Sequence, residues 1–223
     1  MNKIIPFYID FNLKSLYYDS IKYRKKEECY RSKIKFINKN NSLQDILIQT
    51  DTVLLKDIII NENNEYYLKV GILSNQLYEF LFNLENIIKE TVYNKSDEWF
   101  NIPSSKNIKE IYKTLFDSPL KLGETPCFNI KIPIANGCIK SKFFNPKGEL
   151  ISIKELCSNQ KIKLILKVNS IKLYESNYLL DIYLYQLQLE KTEENEIQLN
   201  HVFEDSDEDI ILTDSDSKIL SIK

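Results

Sequence analysis

Lysines and aromatic rings interleave along several stretches of this chain, and that combination can hold a polyanion whose flat bases are exposed. Cationic groups follow the phosphates, and each ring that stacks on a base contributes about 1–3 kcal/mol. The residues placed to do this are Arg31, Lys33 and Lys35, then Lys131, then Lys140 and Lys142 beside Phe143 and Phe144, and finally Lys163, Lys167, Tyr183 and Tyr185. Taken singly, each also fits an ordinary solvated face or a core ring. Their recurrence carries the signal. Trp99, the sole tryptophan, is a further candidate for stacking, against the plainer role of packing in a core or between helices.

Other chemistries have little to stand on: a carboxylate-only metal site of the nuclease kind stays open, although no acidic cluster sits at an expected strand end in the body. Four glycines form no phosphate-cradling loop, and no Walker, Rossmann or nucleophile-elbow pattern occurs. One histidine, His201, lies in a polar C-terminal stretch and leaves no histidine-centred acid–base site. Cys29, Cys127, Cys138 and Cys157 are scattered with no C-x-x-C pair, whereas zinc needs three or four clustered ligands. Reduced and mostly buried thiols are expected, with no metal and no cofactor. The chain reads as a non-enzymatic binding protein.

Charge divides the chain in two. From Glu190 onward there are eleven acidic and three basic residues, net −8; of the chain's 32 acids and 30 bases, that leaves residues 1–189 with 21 and 27, net +6. A basic body with an acidic tail hints at nucleic-acid contact. The tail, with Glu204, Asp205, Asp207, Glu208 and Asp209 and then Asp214 and Asp216, is too charged to fold alone and is expected to be flexible. It serves solubility, or regulates binding by competing for the basic groove, or docks partner proteins through Ile210, Ile211 and Leu212. Ser206 and Thr213, each with an acidic residue three positions on, are candidate phosphorylation sites.

The elements that must position these residues follow from periodicity. The 223 residues, 43% hydrophobic and 12% aromatic, suffice for one large domain or two small ones. Period-two alternation predicts strands at Cys29 to Ile37 (Tyr30, Ile34 and Phe36 inward), at Tyr66 to Leu73 and at Cys127 to Ile134, with a more buried strand at Val53 to Ile60. Lys161 to Val168 and Tyr178 to Leu189 predict a closing hairpin around Glu175, Ser176 and Asn177. A turn centred there sets Lys167 opposite Tyr183 and Ile165 opposite Tyr185. Ser74 caps a helix carrying Leu77, Leu81, Leu84, Ile88 and Val92. A second helix is expected from Ser104 or Ser105 through Ile108, Ile111, Tyr112 and Leu115, stopping before Pro119. No apolar run reaches the roughly 18 to 20 residues of a membrane span, and no signal peptide is evident at Met1 to Asp10. An unsecreted protein of cytoplasm or nucleus, away from the membrane, is expected.

Set in order, these features resemble a known family. Glu65-Tyr-Tyr-Leu-Lys-Val-Gly-Ile followed by the helix from Leu77 resembles the equivalent part of poxvirus single-stranded DNA-binding proteins. Ser96-Asp-Glu-Trp-Phe, then Ile111-Tyr to Ser118-Pro-Leu-Lys, then Phe128-Asn-Ile-Lys-Ile-Pro resemble related proteins of other large DNA viruses. The closing hairpin, with Gln186 near its end, is similar to the last strands of OB-fold proteins of the phage T7 DNA-binding kind. The likeness spans about residues 65–189 and the acidic tail. It implies a β-rich α+β protein: an OB-type β-barrel over residues 1–189 with a helical insertion at about 74–116, and an acidic tail over 190–223. It also implies coating of single-stranded DNA in viral replication, recombination or repair, in host cytoplasm or nucleus. Replication proteins bound through the tail and homo-oligomerisation are the further partners it suggests. The phage proteins end in an aromatic residue, whereas this chain ends Ile222-Lys223, with Phe203 ahead of the acidic run. A structural or interaction component of a viral particle or replication complex, and an RNA-binding protein, are the alternative readings.

Overall fold

The computed structural model describes residues 6–38, 40–62, 64–100, 108–117 and 124–191. The acidic residues Glu204 to Asp209, and Ser104 and Ser105, lie outside the described residues. Within them the chain is mostly strand, with few helices.

The N-terminal part passes through two short 3-10 turns into β1 (Leu16–Tyr18), β2 (Lys22–Arg24) and β3 (Cys29–Ile37). β4 (Leu43–Gln44), β5 (Ile46–Gln49), β6 (Val53–Ile60) and β7 (Tyr66–Ile72) follow, then α1 (Asn75–Asn94) and α2 (Ser96–Phe100). The second half holds β8 (Tyr112–Lys113), β9 (Cys127–Ile132), β10 (Ile134–Ala135), β11 (Cys138–Ile139), β12 (Lys142–Phe144), β13 (Lys161–Leu173) and β14 (Tyr178–Leu189).

The strands form a large mixed sheet in the order β1-β3-β13-β6-β7-β9-β14-β12, and β13 also pairs antiparallel with β14. The path β13-β6-β7-β9-β14 therefore returns to β13. Two of its links are narrow: β13 meets β6 through two residue pairs, and β9 meets β14, in parallel, only at Lys131 opposite Tyr183. The expected barrel is thus not closed by continuous hydrogen bonding.

Alternation decides which side of each strand is dry. Leu68, Val70 and Ile72 of β7, Phe128, Ile130 and Ile132 of β9, and Ile162, Leu164, Leu166 and Val168 of β13 are all buried in one core. Each such side chain is worth about 1.5–3 kcal/mol on leaving water. Ser74 caps α1 by accepting a hydrogen bond from the Leu77 N–H at 3.4 Å, and Leu77, Leu81, Leu84, Ile88 and Val92 bring the helix's apolar stripe into the same core.

Four expectations need correction. Over the described residues 109–117 there is no helix. Tyr112–Lys113 is a strand running parallel to β14, and Phe116 bridges to Phe128. The apolar spacing of Ile108, Ile111, Tyr112 and Leu115 suits a helix, but Glu85 of α1 accepts the Leu115 N–H at 2.5 Å and pulls the backbone out of helical bonding. Tyr30 is not inward: at 48% exposure it lies beyond the core's edge. Ile60 and Ile134 are likewise exposed, at the far ends of their runs. Of the cysteines only Cys29 is buried; Cys138 and Cys157 are exposed, and all four are free thiols.

The closing hairpin keeps the expected pair Lys167 with Tyr183 but sets Ile165 opposite Gln186. A register shift between Ile165 and Leu166 leaves Tyr185 as the extra residue.

Candidate nucleic-acid interface

The segment 112–117 creates a groove by spanning two strands that barely touch each other. At one end Tyr112 and Lys113 pair with Tyr178 and Leu179 of β14; at the other the Asp117 N–H donates to the Cys127 carbonyl of β9 at 2.9 Å. Glu85 anchors this wall. Buried on α1, its carboxylate accepts from Tyr112 OH (3.2 Å), from the Thr114 hydroxyl (3.0 Å) and from the Leu115 N–H. Tyr112 is consequently held protonated far above the ordinary phenol range, first by burial and then by the Glu85 charge.

Facing the wall, the β6–β7 turn contributes Asn61 and Glu65, β7 contributes Tyr67, and β9 contributes Asn129 and Lys131 as the floor. Lys172, Tyr174 and Asp181 close the groove from the β13–β14 hairpin. The volume enclosed is about 560 Å³.

One cross-strand row enters it at Ile59, Tyr67 and Lys131 and continues beyond it. Ile59, Tyr67, Lys131, Tyr183 and Lys167 are successive partners across β6, β7, β9, β14 and β13. Three residues expected from sequence, Lys131, Tyr183 and Lys167, thereby come into line with Tyr67, which is not among the sequence-based candidates. Lys131 Nζ lies 5.8 Å from the centroid of the Tyr67 ring, and Lys172 Nζ lies 5.9 Å from that of Tyr183. Cation and ring thus alternate along the row.

These cations are not bare. Lys131 is ion-paired with Glu65, and Lys69 with Asp117 at 2.6 Å. Burial alone would raise the Glu65 carboxyl, but donors from Lys131, Tyr67 and Asn61 outweigh it and hold the pKa below the ordinary value. The Tyr67 phenol is pushed up by burial and by Glu65. Lys172, with only 8% of its side chain exposed, sits between Glu27 (2.7 Å) and Asp181 (3.5 Å). Burial lowers its pKa, yet those two carboxylates overcome the effect and raise it. Tyr183, 3.4 Å from Lys172 Nζ, is pushed up to about 12, chiefly by burial and next by Asp181.

The remaining candidates fall elsewhere. Arg31 is built into the structure: its Nε donates to Ser170 Oγ at 2.9 Å and its Nη1 pairs with Glu27 at 3.5 Å. Lys33 is exposed on β3 and Lys35 half-buried. Lys140, Lys142 and the half-buried Phe144 lie at or beside β12, which runs along the end of β14 at Gln186 to Gln188. Tyr185 is exposed there at 48%, and Lys163 pairs with Glu190 at 3.0 Å. Lys167 also bonds Asp45 at 2.7 Å.

Two rings offer no face to a base. Phe143 is 5% exposed and Trp99 6%, each inside the core cluster, because alternation and helix packing turn them inward. Among the described residues, no group of three or more His, Cys, Asp or Glu could hold a metal ion, and no helix is long and apolar enough to cross a membrane.

No family model and no curated protein matches the chain. Among solved structures it is similar to the single-stranded DNA-binding protein from bacteriophage Enc34, with 8% identity over 83% of this chain and 96% of that one, at a TM-score of 0.43. The C-terminal truncation of that protein gives 9% identity over 79% and 95% at the same TM-score. Its complex with ssDNA gives 10% over 73% and 92%, at 0.41. Likeness at this level transfers nothing to the chain, whose function must be read from its own geometry.

Proposed function

We propose that this protein binds single-stranded DNA, without catalysis, in the groove between the 112–117 wall and the β7–β9 face. The observation that carries this is the row of alternating ring and cation, Tyr67, Lys131 and Tyr183, whose first two members line an open groove. Rings with a free face stack on any base, and lysines neutralise phosphates, so recognition tolerates sequence. The strand topology supports the same reading. A five-stranded circuit β6-β7-β9-β14-β13 with one parallel contact is compatible with an OB-type barrel left partly open. Such barrels hold oligonucleotides on their second and third strands, between the loops after the first and fourth. Those elements correspond to β7, β9, the β6–β7 turn and the β13–β14 turn, which all line the groove.

The paired lysines are compatible with this role. Ion pairs this close to solvent are worth about 0–1 kcal/mol, so a phosphate can take the place of Glu65 at low cost. Each exchange also releases less counterion than a bare lysine would, so binding should depend less steeply on salt than the lysine count suggests. We further propose that the protein covers single strands during viral DNA replication, recombination or repair, at the replication site in host cytoplasm or nucleus.

The test is titration of a fluorescent single strand at two salt concentrations, with a matched RNA and a duplex alongside. Saturable binding of the single strand, stronger than to duplex, is expected. Equal or tighter binding of RNA would reassign the polymer, and no binding at low salt would remove the reading.

A further inference from the structure

The groove lacks net positive charge. Its lining carries Lys113, Lys131 and Lys172 against Glu65, Asp117 and Asp181. A neutral lining draws a polyanion weakly from a distance. Unpaired cations are concentrated elsewhere, on the β2–β3 hairpin. Lys22, Arg24, Lys25 and Lys26 fall within five residues, all exposed, and among the described residues none forms an ion pair.

The hairpin also displays rings. Tyr23 and Tyr30 are cross-strand partners, 56% and 48% exposed, with ring centroids 5.2 Å apart and planes inclined at 56°. An aromatic pair amid cations that keeps about half of its surface in water gains only part of what burial offers. It is suited to stacking on a base.

Register and one carboxylate tie the hairpin to the groove. Lys22 lies opposite Arg31, and Arg31 opposite Lys172, so a row of cations leads from the hairpin to a groove-lining residue. Tyr23 and Tyr30 occupy the alternate positions, on the ribbon's other side. Glu27, in the hairpin turn, joins the two by pairing with both Arg31 and Lys172.

We propose that the β2–β3 hairpin is a second contact for single-stranded DNA, which takes the strand where it leaves the groove at Lys172 and Tyr174. Lys22, Arg24, Lys25 and Lys26 meet the phosphates, and the Tyr23–Tyr30 pair receives a base as the strand rounds the ribbon. The proposal rests on the groove reading above, and the hairpin supplies the unneutralised charge that the groove lacks.

The test uses the full chain and fluorescein-labelled oligothymidylates of about 6 and about 20 nucleotides, the first short enough for the groove alone. The variants are Y23A/Y30A, K22S/R24S/K25S/K26S and, for the groove, Y67A, each checked for an unchanged circular dichroism spectrum. Both hairpin variants should lose about tenfold or more on the long strand and less than about twofold on the short one. For the quadruple variant, the slope of log K against log salt on the long strand should fall by about 3. Y67A should weaken both lengths. If the wild-type protein binds neither strand at low salt, the groove reading itself fails. If it binds both and the hairpin variants match it on the long strand, the hairpin contact is wrong and the groove stands. Equal loss on both lengths would also overturn it, because the hairpin would then be acting on the groove.

Discussion

Replacing Glu85 tests how the groove wall is held. Its carboxylate accepts from one backbone N–H and two hydroxyls of the 112–115 segment. In Glu85→Ala the half-buried Leu115 N–H loses its acceptor, at about 1–3 kcal/mol, and Tyr112 OH loses a charge-assisted bond of similar size. Thr114 is exposed and turns to water at little cost. Relief from burying a carboxylate offsets part of the loss, leaving a net destabilisation of about 2–4 kcal/mol. For a body of this size that lowers Tm by about 4–16 °C. Glu85→Gln keeps one oxygen for Leu115 and should cost about half as much. Thermal unfolding followed by circular dichroism measures both. Oligonucleotide titration well below the transition should show weaker binding to the alanine variant, because its wall is loosened. A Glu85→Ala protein within about 1 kcal/mol of wild type, or a glutamine variant as damaged as the alanine one, would refute the anchoring role.

Other expectations follow from the same geometry. Tyr67→Ala should cost one stacking ring, about 1–3 kcal/mol of single-strand affinity read by fluorescence anisotropy, whereas Tyr67→Phe, which keeps the ring, should bind nearly as wild type. Phe143→Ala should do the reverse, losing about 3–5 kcal/mol of stability in urea unfolding as a buried ring is removed. Glu27, Glu65 and Glu190 are each held below the ordinary carboxyl value of 4.5, burial being outweighed by lysine and hydroxyl donors. A lowered folded pKa stabilises the fold above the unfolded value, and that contribution is lost as pH falls through the folded one. Stability should therefore hold through neutral pH and decline below about 4.5, and Glu65→Gln should flatten part of that acid limb in pH-resolved melts.

What could be read from sequence was whatever depends on neighbours along the chain. Alternation at Lys161 to Val168 names the buried residues correctly, that at Cys127 to Ile134 does so as far as Ile132, and Ser74 with the leucines after it marks α1. Lys131, Tyr183 and Lys167 were legible as lysines and rings on strands. Their alignment with Tyr67 was not, since it depends on the order in which β7, β9 and β14 pair. The ion pairs of Lys131 with Glu65 and of Lys172 with Glu27 reach over dozens of residues and left no local trace. The same holds for Glu85, an ordinary helix glutamate until its partners 27 to 30 positions away are in place. The hairpin register failed at Tyr185 because a bulge adds a residue that alternation does not reveal. The basic, aromatic hairpin at Lys22 to Tyr30 was open to inspection, but β2 is three residues long and too short to show a period.

The proposed seat of single-stranded DNA is the β7–β9 floor. It is tested most directly by cross-linking the full-length protein to an oligonucleotide carrying a photoreactive uracil and sequencing the labelled peptides. Labels are expected within Tyr66–Ile72 and Cys127–Ile132, with Tyr67 foremost. Cross-links confined to Lys140 to Phe144 and Tyr185, with none on β7 or β9, would contradict it.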